Sequence, residues 1–318
     1  MRLAALSLLA TPAAAQRFDF VALGDMPYTT PQAQDEPAGY DRLIGRINAL
    51  SPAFSIHVGD TKAGSTSCSD ESLRTHAGHF GRFEGAVVYS VGDNEWTDCH
   101  RASNGSFDPL DRLALIRRTW FAEARSLGQR PVALERQADA MPQRFETFVE
   151  NSRWVHNGVH FLSLHIVGNN NNFEARPGAP QEFFDRDAAN QVWLEAGFAR
   201  AQAEGAPGIV LAFQADMWDD RAPREPLQNG YTTTLATIRR LAAAFGRPVL
   251  LVHGDSHVLR IDQPIRDNAG RTIENVTRLM VMGAQEVHAV RVTVDPAEPG
   301  LFAFTPFRVP ENAQRPRM

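Results

Sequence analysis

Four Gly-Asp pairs stand in this chain, and each directly follows a short apolar run with the composition of a buried strand. They are Gly24-Asp25, Gly59-Asp60, Gly92-Asp93 and Gly254-Asp255. Carboxylates that converge repel one another unless a positive charge lies between them. His257 adds an imidazole two residues after the last pair, and aspartate oxygen with histidine nitrogen suits zinc, manganese or iron. The four pairs therefore predict a divalent-cation site, although each alone is also typical of a turn.

Strands and helices alternate along the first part of the chain. The predicted strands cover residues 18–23, 54–58, 87–91, 159–167, 208–213 and 249–253. The predicted helices cover residues 39–50, 69–83 with Ser69 as the cap, 109–124, 188–204 and 232–245. This alternation predicts a parallel sheet, and such sheets bind ligands at the carboxyl ends of their strands. Asp255 and His257, two apart in an extended segment, would share one face there.

The C-terminal part of the chain has a different pattern. Predicted strands at residues 277–282, 289–294 and 301–305 follow one another without a helix between them. This stretch predicts a second, more antiparallel sheet that packs on the first. Residues 128–152 have no assignable pattern. Because no repeat or low-complexity linker interrupts the chain, we expect a single domain over residues 16–318.

The ordered set of motifs resembles the calcineurin-like metallophosphoesterase superfamily. The pattern of that family is D-x-H, then G-D, then G-N-H-[DE], then a lone His after a strand, then G-H-x-H. The corresponding segments here are Gly24-Asp25-Met26-Pro27, Gly59-Asp60, Gly92-Asp93-Asn94-Glu95, Ala212-Phe213-Gln214 and Gly254-Asp255-Ser256-His257. The resemblance spans nearly the whole chain after residue 15. It implies an α/β fold in which two mixed β-sheets pack as a sandwich with helices outside.

Several positions depart from the pattern of the family. Pro27 stands where the family has a His ligand, and Asp93 stands where it has a metal-binding Asn. Asn94 takes the place of the His that contacts the phosphate or protonates the leaving group. Gln214 lies near the lone His, and Asp255 replaces the first His of the last motif. The retained ligands are Asp25, Asp60 and His257.

The resemblance implies a site for one or two divalent ions. Asp60 would bridge them, and Asp25 with His257 would bind the first. The ligands of the second would be Asp93, Gln214 and Asp255. An all-oxygen set favours magnesium, manganese or calcium over zinc, and the identity among Mn, Mg, Ca, Zn and Fe stays open.

The implied reaction is metal-assisted hydrolysis of a small-molecule phosphate ester. Asn94 cannot shuttle a proton, because an amide does not titrate at neutral pH. His165 and His57 are candidates for the acid, although each also fits a packed strand histidine. One alternative is a non-catalytic relative that binds a metal or another ligand and keeps the fold. Another is a metal-free protein in which the Gly-Asp pairs are only turns.

Composition limits the partners and the location. The net charge of −5 gives no basic surface for nucleic acid, and no apolar run is long enough for an integral membrane segment. Residues 1–15 read as a secretory signal peptide cut after Ala15, with a buried N-terminal helix as the alternative. Export to the periplasm or the extracellular space would favour a disulfide between Cys68 and Cys99 that ties two site loops together. A free pair is the other possibility.

Overall fold

The computed structural model describes residues 16–28, 36–284 and 286–313, so the segment predicted as a signal peptide lies outside it. The strands are β1 (Phe18–Leu23), β2 (Ser55–His57), β3 (Val87–Tyr89), β4 (Glu135–Arg136), β5 (Ser152–His156), β6 (Val159–Ser163), β7 (Ile209–Ala212), β8 (Val249–His253), β9 (Arg260–Asp262), β10 (Val276–Met280), β11 (Ala289–Val294) and β12 (Phe302–Phe307). The helices are α1 (Glu36–Leu50), α2 (Asp70–Phe80), α3 (Pro109–Trp120), α4 (Gln137–Ala140), α5 (Pro142–Phe145), α6 (Gly168–Asn171), α7 (Ala179–Ala203) and α8 (Thr232–Phe245). Short 3₁₀ turns cover Thr97–His100, Ala102–Asn104 and Pro310–Asn312.

The strands form two mixed sheets. The first has the order β12-β11-β1-β2-β3, in which β1, β2 and β3 are parallel and the other two antiparallel. The second has the order β4-β5-β6-β7-β8-β10-β9, with a parallel centre from β6 to β10. The carboxyl ends of the parallel strands lie at one edge of each sheet.

The C-terminal strands do not form a sheet of their own, so that prediction was wrong. Strand β10 pairs parallel with β8 inside the second sheet, whereas β11 and β12 extend the first sheet beside β1. Burial explains the difference. Almost every side chain of β10 and β11 is buried, as expected for strands covered on both faces, while the side chains of β12, an edge strand, are partly buried or exposed.

The sheets pack face to face and carry helices on their outer faces. The apolar cluster between them contains residues of both sheets, among them Phe20, Ile56, Val88, Phe161, Val210 and Leu250. Helices α1 and α2 cover the first sheet, and α7 and α8 cover the second, through two further apolar clusters. The predicted sandwich of two mixed sheets flanked by helices is therefore confirmed.

Most elements that position the site agree with the sequence pattern. Strands β1, β8 and β11 and helix α8 have the predicted bounds, and the Ser69 side chain accepts a hydrogen bond from the Ser72 amide at the start of α2. Helix α7 begins earlier than predicted, at Ala179 with a proline in its first turn. Within the described ranges, no helix has the length and apolarity that a bilayer crossing requires.

Candidate functional site

The four Gly-Asp pairs meet at one end of the sandwich. The first three follow β1, β2 and β3 of one sheet, and the fourth follows β8 of the other. A cavity of about 550 Å³ opens there, and its lining includes Tyr28, Asp60, Asp93, Asn94, Asp255 and His257. Asp25 and Gln214 are completely buried beside it. All six side chains predicted as metal ligands therefore lie at or directly beneath one cavity.

In two of the four pairs, the glycine is needed because a carboxylate packs closely against its Cα. Asp25, Asp60 and Asp255 themselves adopt left-handed backbone conformations, with φ of 54°, 55° and 74°. A Cβ on Gly92 would lie 2.0 Å from Asp60 Oδ1, and one on Gly254 would lie 2.1 Å from Asp25 Oδ2. Each of these glycines thus makes room for the carboxylate of another pair.

The segment that carries the last motif was predicted to be extended, but it is not. His257 has a φ of 58°, and Asp255 is also left-handed. Both side chains nevertheless line the cavity. The tight turn at Asp255 brings its amide to Asp25, whose Oδ1 and Oδ2 accept hydrogen bonds of 3.0 and 3.2 Å.

Asp60 lies at the centre of the hydrogen-bond network. Its carboxylate accepts from the Asn94 amide nitrogen at 3.1 Å and from Asn94 Nδ2 at 2.9 Å. Gln214 Nε2 donates to Asp60 Oδ2 at 3.1 Å and to Asp93 Oδ1 at 2.8 Å. One amide therefore joins two carboxylates from neighbouring strands.

His257 and Asp255 form the other side of the site. His257 Nε2 lies 3.6 Å from Asp25 Oδ1, and Asp255 Oδ2 accepts a hydrogen bond of 3.0 Å from the Asp216 amide. The His257 side chain is one-third exposed, whereas Asp25 is buried. A ligand in the cavity can thus reach the imidazole directly.

Sequence reasoning missed Tyr28. Its hydroxyl lies 3.2 Å from His257 Nε2 and 3.5 Å from Asp60 Oδ2, and it accepts a hydrogen bond of 3.1 Å from Asn94 Nδ2. It therefore connects the Asp60 side of the site to the His257 side. The only signal in the sequence is its place three residues after Asp25 in the same loop.

Two buried charged residues behind the site were also missed. Glu95 is fully buried and accepts hydrogen bonds from the amides of Asp60 and Thr61 and from the Thr61 hydroxyl. Lys62 is fully buried too, and its Nζ donates to the carbonyls of Ala63 and Thr66. Both follow Gly-Asp pairs closely, so position in the loop was the available signal.

Burial and mutual repulsion perturb the carboxylates. Burial, followed by the charge of a neighbouring aspartate, raises the pKa of Asp25 and of Asp60 well above its usual range. Burial and the nearby Asp98 and Glu95 raise the pKa of Asp93 to about 7. Burial and then Asp93 raise the pKa of Asp255 to about 7. The positive charges near these four aspartates therefore do not balance the negative charge that the aspartates would carry if all were ionised.

These residues suit a divalent cation in donor chemistry and charge. Within the described parts of the chain, no three His, Cys, Asp or Glu side chains converge as tightly as the ligands of a single ion. Their spacing is set by hydrogen bonds such as those of Gln214, whose Oε1 accepts from the Gly168 amide at 2.6 Å. Rotation of that amide would turn an oxygen toward Asp60 and Asp93. A cation would also relieve the repulsion that raises the aspartate pKa values.

His165 and His57 do not line the cavity. His165 is buried, its Nδ1 lies 2.8 Å from Glu150 Oε1, and burial lowers its pKa to about 4. His57 Nε2 lies 3.2 Å from the Met26 carbonyl oxygen, and burial lowers its pKa to about 4 as well. Both are packed core histidines, and His165 lies away from the cavity that a proton donor would have to reach.

The asparagine loop that follows β6 forms part of the rim. Asn169 and Asn170 line the cavity, and Asn169 Nδ2 donates to Asp93 Oδ2 at 2.8 Å. The buried Arg186 holds this loop from behind, since its guanidinium donates to Asn171 Oδ1 at 2.6 Å and to the Asn171 carbonyl at 2.9 Å. The loop is therefore fixed from the protein interior.

The predicted disulfide is present. Cys68 and Cys99 are bonded, and both are completely buried. The bridge joins the loop that follows Asp60 to the 3₁₀ turn that follows Asp93 and Asn94. Two segments that shape the cavity are thus covalently tied.

Comparison with known proteins gives a result only at the level of structure. No protein-family model matches the sequence, and no curated protein matches it. A dimetal phosphatase from Danio rerio aligns with a TM-score of 0.54 at 10% identity, over 92% of this chain and 98% of that one. The chain shares the fold of this dimetal phosphatase.

Two other structures align less closely with this chain. The purple acid phosphatase PPD1 from yellow lupin (Lupinus luteus) seeds gives a TM-score of 0.44 at 10% identity, over 95% of this chain and 56% of that one. A carbon-nitrogen hydrolase from Helicobacter pylori G27 gives 0.32 at 8% identity, over 92% and 87%. The fold assignment therefore rests on the dimetal phosphatase.

Proposed function

We propose that this chain is a divalent-metal-dependent hydrolase of small-molecule phosphate esters. The observation that carries the proposal is the gathering of Asp60, Asp93 and Asp255 around one cavity, in a fold shared with a dimetal phosphatase. Burial and the charges of neighbouring carboxylates raise the pKa of each of these carboxyls when no cation is present. Such a cluster is costly for stability and is expected at a cation site.

Asp60 is the carboxylate that would bridge two ions. Asp25 and His257 would hold one of them, and the ligands of the other would be Asp93, Gln214 and Asp255. Bound ions would supply Lewis acidity toward the phosphoryl oxygens and a nucleophile at neutral pH. The oxygen-rich second set favours magnesium, manganese or calcium.

Asn94 and Tyr28 would orient the ester. Asn94 and Tyr28 line the cavity, and Asn94 Nδ2 uses its two N–H groups to donate to Tyr28 and Asp60. A phosphoryl oxygen that takes the place of one of these acceptors would receive an N–H or the phenolic O–H. Asn94 positions the substrate without transferring a proton, because an amide does not titrate at neutral pH. Esters with good leaving groups, such as aryl phosphates, should therefore react fastest.

The test is hydrolysis of an aryl phosphate monoester and diester by purified protein with manganese, zinc, magnesium or calcium. Asp60→Asn should lose activity by at least about 100-fold and lower the metal content found by elemental analysis. Asp111→Asn, the same change on the exposed face of α3, is the matched control and should retain both. Bound metal without turnover would overturn the hydrolase and favour a non-catalytic binder. Absence of stoichiometric metal would overturn both.

We also propose that the protein acts outside the cytoplasm, in the periplasm or beyond the cell. The buried Cys68–Cys99 bridge supports this location, because structural disulfides persist mainly in oxidising compartments.

A further inference from the structure

Arg101 forms the wall of the cavity next to Asn94. Its Nη1 donates to Asp98 Oδ2 at 2.5 Å, and its Nη2 donates to Asn169 Oδ1 at 3.4 Å. A Cβ placed on Gly64 would lie 2.7 Å from Asn94 Oδ1, 2.8 Å from Asp98 Oδ2 and 3.3 Å from Arg101 Nη1. The carbonyl oxygen of the Asn94 side chain, the Asp98 carboxylate and the Arg101 guanidinium therefore surround Gly64, and Arg101 lines the cavity beside them.

Arg101 keeps donor capacity beyond the hydrogen bonds that it makes within the protein. Three of its five N–H donors are used, toward Asp98, Asn169 and the Gly64 carbonyl oxygen. The Arg101 side chain is 42% exposed and lines the cavity. Its remaining N–H groups can thus donate to a ligand.

A second guanidinium, that of Arg221, also lines the cavity but is less fixed. It bonds to Asp219 two residues away, and its side chain is 77% exposed. Arg101, in contrast, is held by two side chains from different segments. Of these two guanidinium groups, that of Arg101 has the better-defined position.

We propose that Arg101 binds a non-bridging phosphoryl oxygen and thereby makes the site selective for phosphate monoesters over diesters; this inference rests on the proposed function. A monoester presents three non-bridging oxygens and a charge of about −1.5 to −2 at neutral pH. A diester presents two such oxygens, a single charge and a second organic group. A phosphoryl oxygen bound in the cavity can reach the Arg101 guanidinium that lines it, and a charge-assisted hydrogen bond forms there.

A diester would have to place its second ester group against this guanidinium. The group would displace water from a cation and offer no anionic oxygen in return, so the N–H donors would lose their partners. Asp98 and Asn169 prevent the arginine from simply moving away. Arg101 thus distinguishes monoesters from diesters by their charge and by the number of their acceptor oxygens.

The test compares wild type, Arg101→Gln and Arg101→Lys on 4-nitrophenyl phosphate and bis(4-nitrophenyl) phosphate. Arg101→Gln should lower kcat/KM for the monoester about 10- to 100-fold and for the diester less than about 3-fold. Arg101→Lys should restore part of the loss, because it keeps the charge without the planar fork. Arg118→Gln, which removes an equal charge from an exposed position on α3, should change neither value.

A second readout does not depend on turnover. Titration calorimetry with inorganic phosphate should show about 10-fold weaker binding to Arg101→Gln than to wild type, at the same manganese concentration. If wild type hydrolyses neither ester but its phosphate binding still depends on Arg101, the proposed hydrolase fails and the anion site stands. Equal losses for both esters, a wild-type preference for the diester, or phosphate binding that ignores Arg101 would each overturn the inference.

Discussion

Removal of the Cys68–Cys99 bridge should destabilise the protein by about 3.7 kcal/mol. The two cysteines are separated by 31 residues, and the chain-entropy relation for a loop of that length gives this value at 25 °C. The change to make is the double variant Cys68→Ala/Cys99→Ala. Since both residues are buried, the loss of two sulfur atoms adds a packing cost to the entropic term.

The measurement is urea unfolding of the double variant and of oxidised wild type, with the free energy of unfolding extrapolated to water. Wild type that has been reduced while unfolded and then measured with reductant is the control. It keeps both sulfur atoms, so its loss reports the cross-link alone, while the double variant should lose somewhat more. Reductant should leave the double variant unchanged.

A loss below about 1 kcal/mol in the reduced wild type would refute the reasoning. It would mean that the segment between Cys68 and Cys99 is already restrained in the unfolded chain, so that the bridge removes little entropy.

The same samples also allow metal binding at the site to be measured. Because the bridge ties the loops beside Asp60 and Asp93, metal affinity should fall together with stability.

Two further predictions concern the carboxylates. In EDTA, Asp93 and Asp255 should contribute less to the free energy of unfolding as pH rises from about 4 to about 7, because their raised pKa values make the folded state hold protons that the unfolded chain has released. Buried histidines such as His57 and His165, whose pKa is lowered, act in the opposite direction, so the test compares wild type with Asp93→Asn/Asp255→Asn at several pH values. A difference between the two proteins that does not change with pH is the contrary result. Gly92→Ala should weaken manganese binding at least about 10-fold in calorimetry, since its Cβ would lie 2.0 Å from Asp60 Oδ1. A Cβ on Gly78 in α2 would meet open space, so the control variant Gly78→Ala should instead raise stability by about 0.5–1 kcal/mol. Equal manganese affinity in the two variants would contradict the steric argument.

The sequence is most informative where a local pattern has one physical solution. An apolar run that ends in Gly-Asp predicts a strand with a carboxylate at its end, and the structure has Asp25, Asp60, Asp93 and Asp255 at such places. Tyr28 could not be recognised in this way. Its importance comes from contacts with Asn94 and His257, which lie far away along the chain.

His165 is the reverse case, because the sequence suggested it for the site and the structure places it in the core. Its position near the end of a predicted strand suggested access to the site, but its partner Glu150 belongs to the stretch without an assignable pattern. Arg117 donates to the same carboxylate, and this pair keeps the pKa of Glu150 low despite its burial. A histidine that completes a buried ion pair looks identical in sequence to one that faces a cavity.

The position of β1 constrains the order in which the protein can fold during synthesis. This strand lies inside its sheet, between β2, which the ribosome makes soon afterwards, and β11, which it makes only after β2 to β10. Until β11 emerges, one edge of β1 stays unpaired, and Asp25 lies at the end of an incomplete sheet. Nascent chains must therefore be protected from aggregation until β11 has been made.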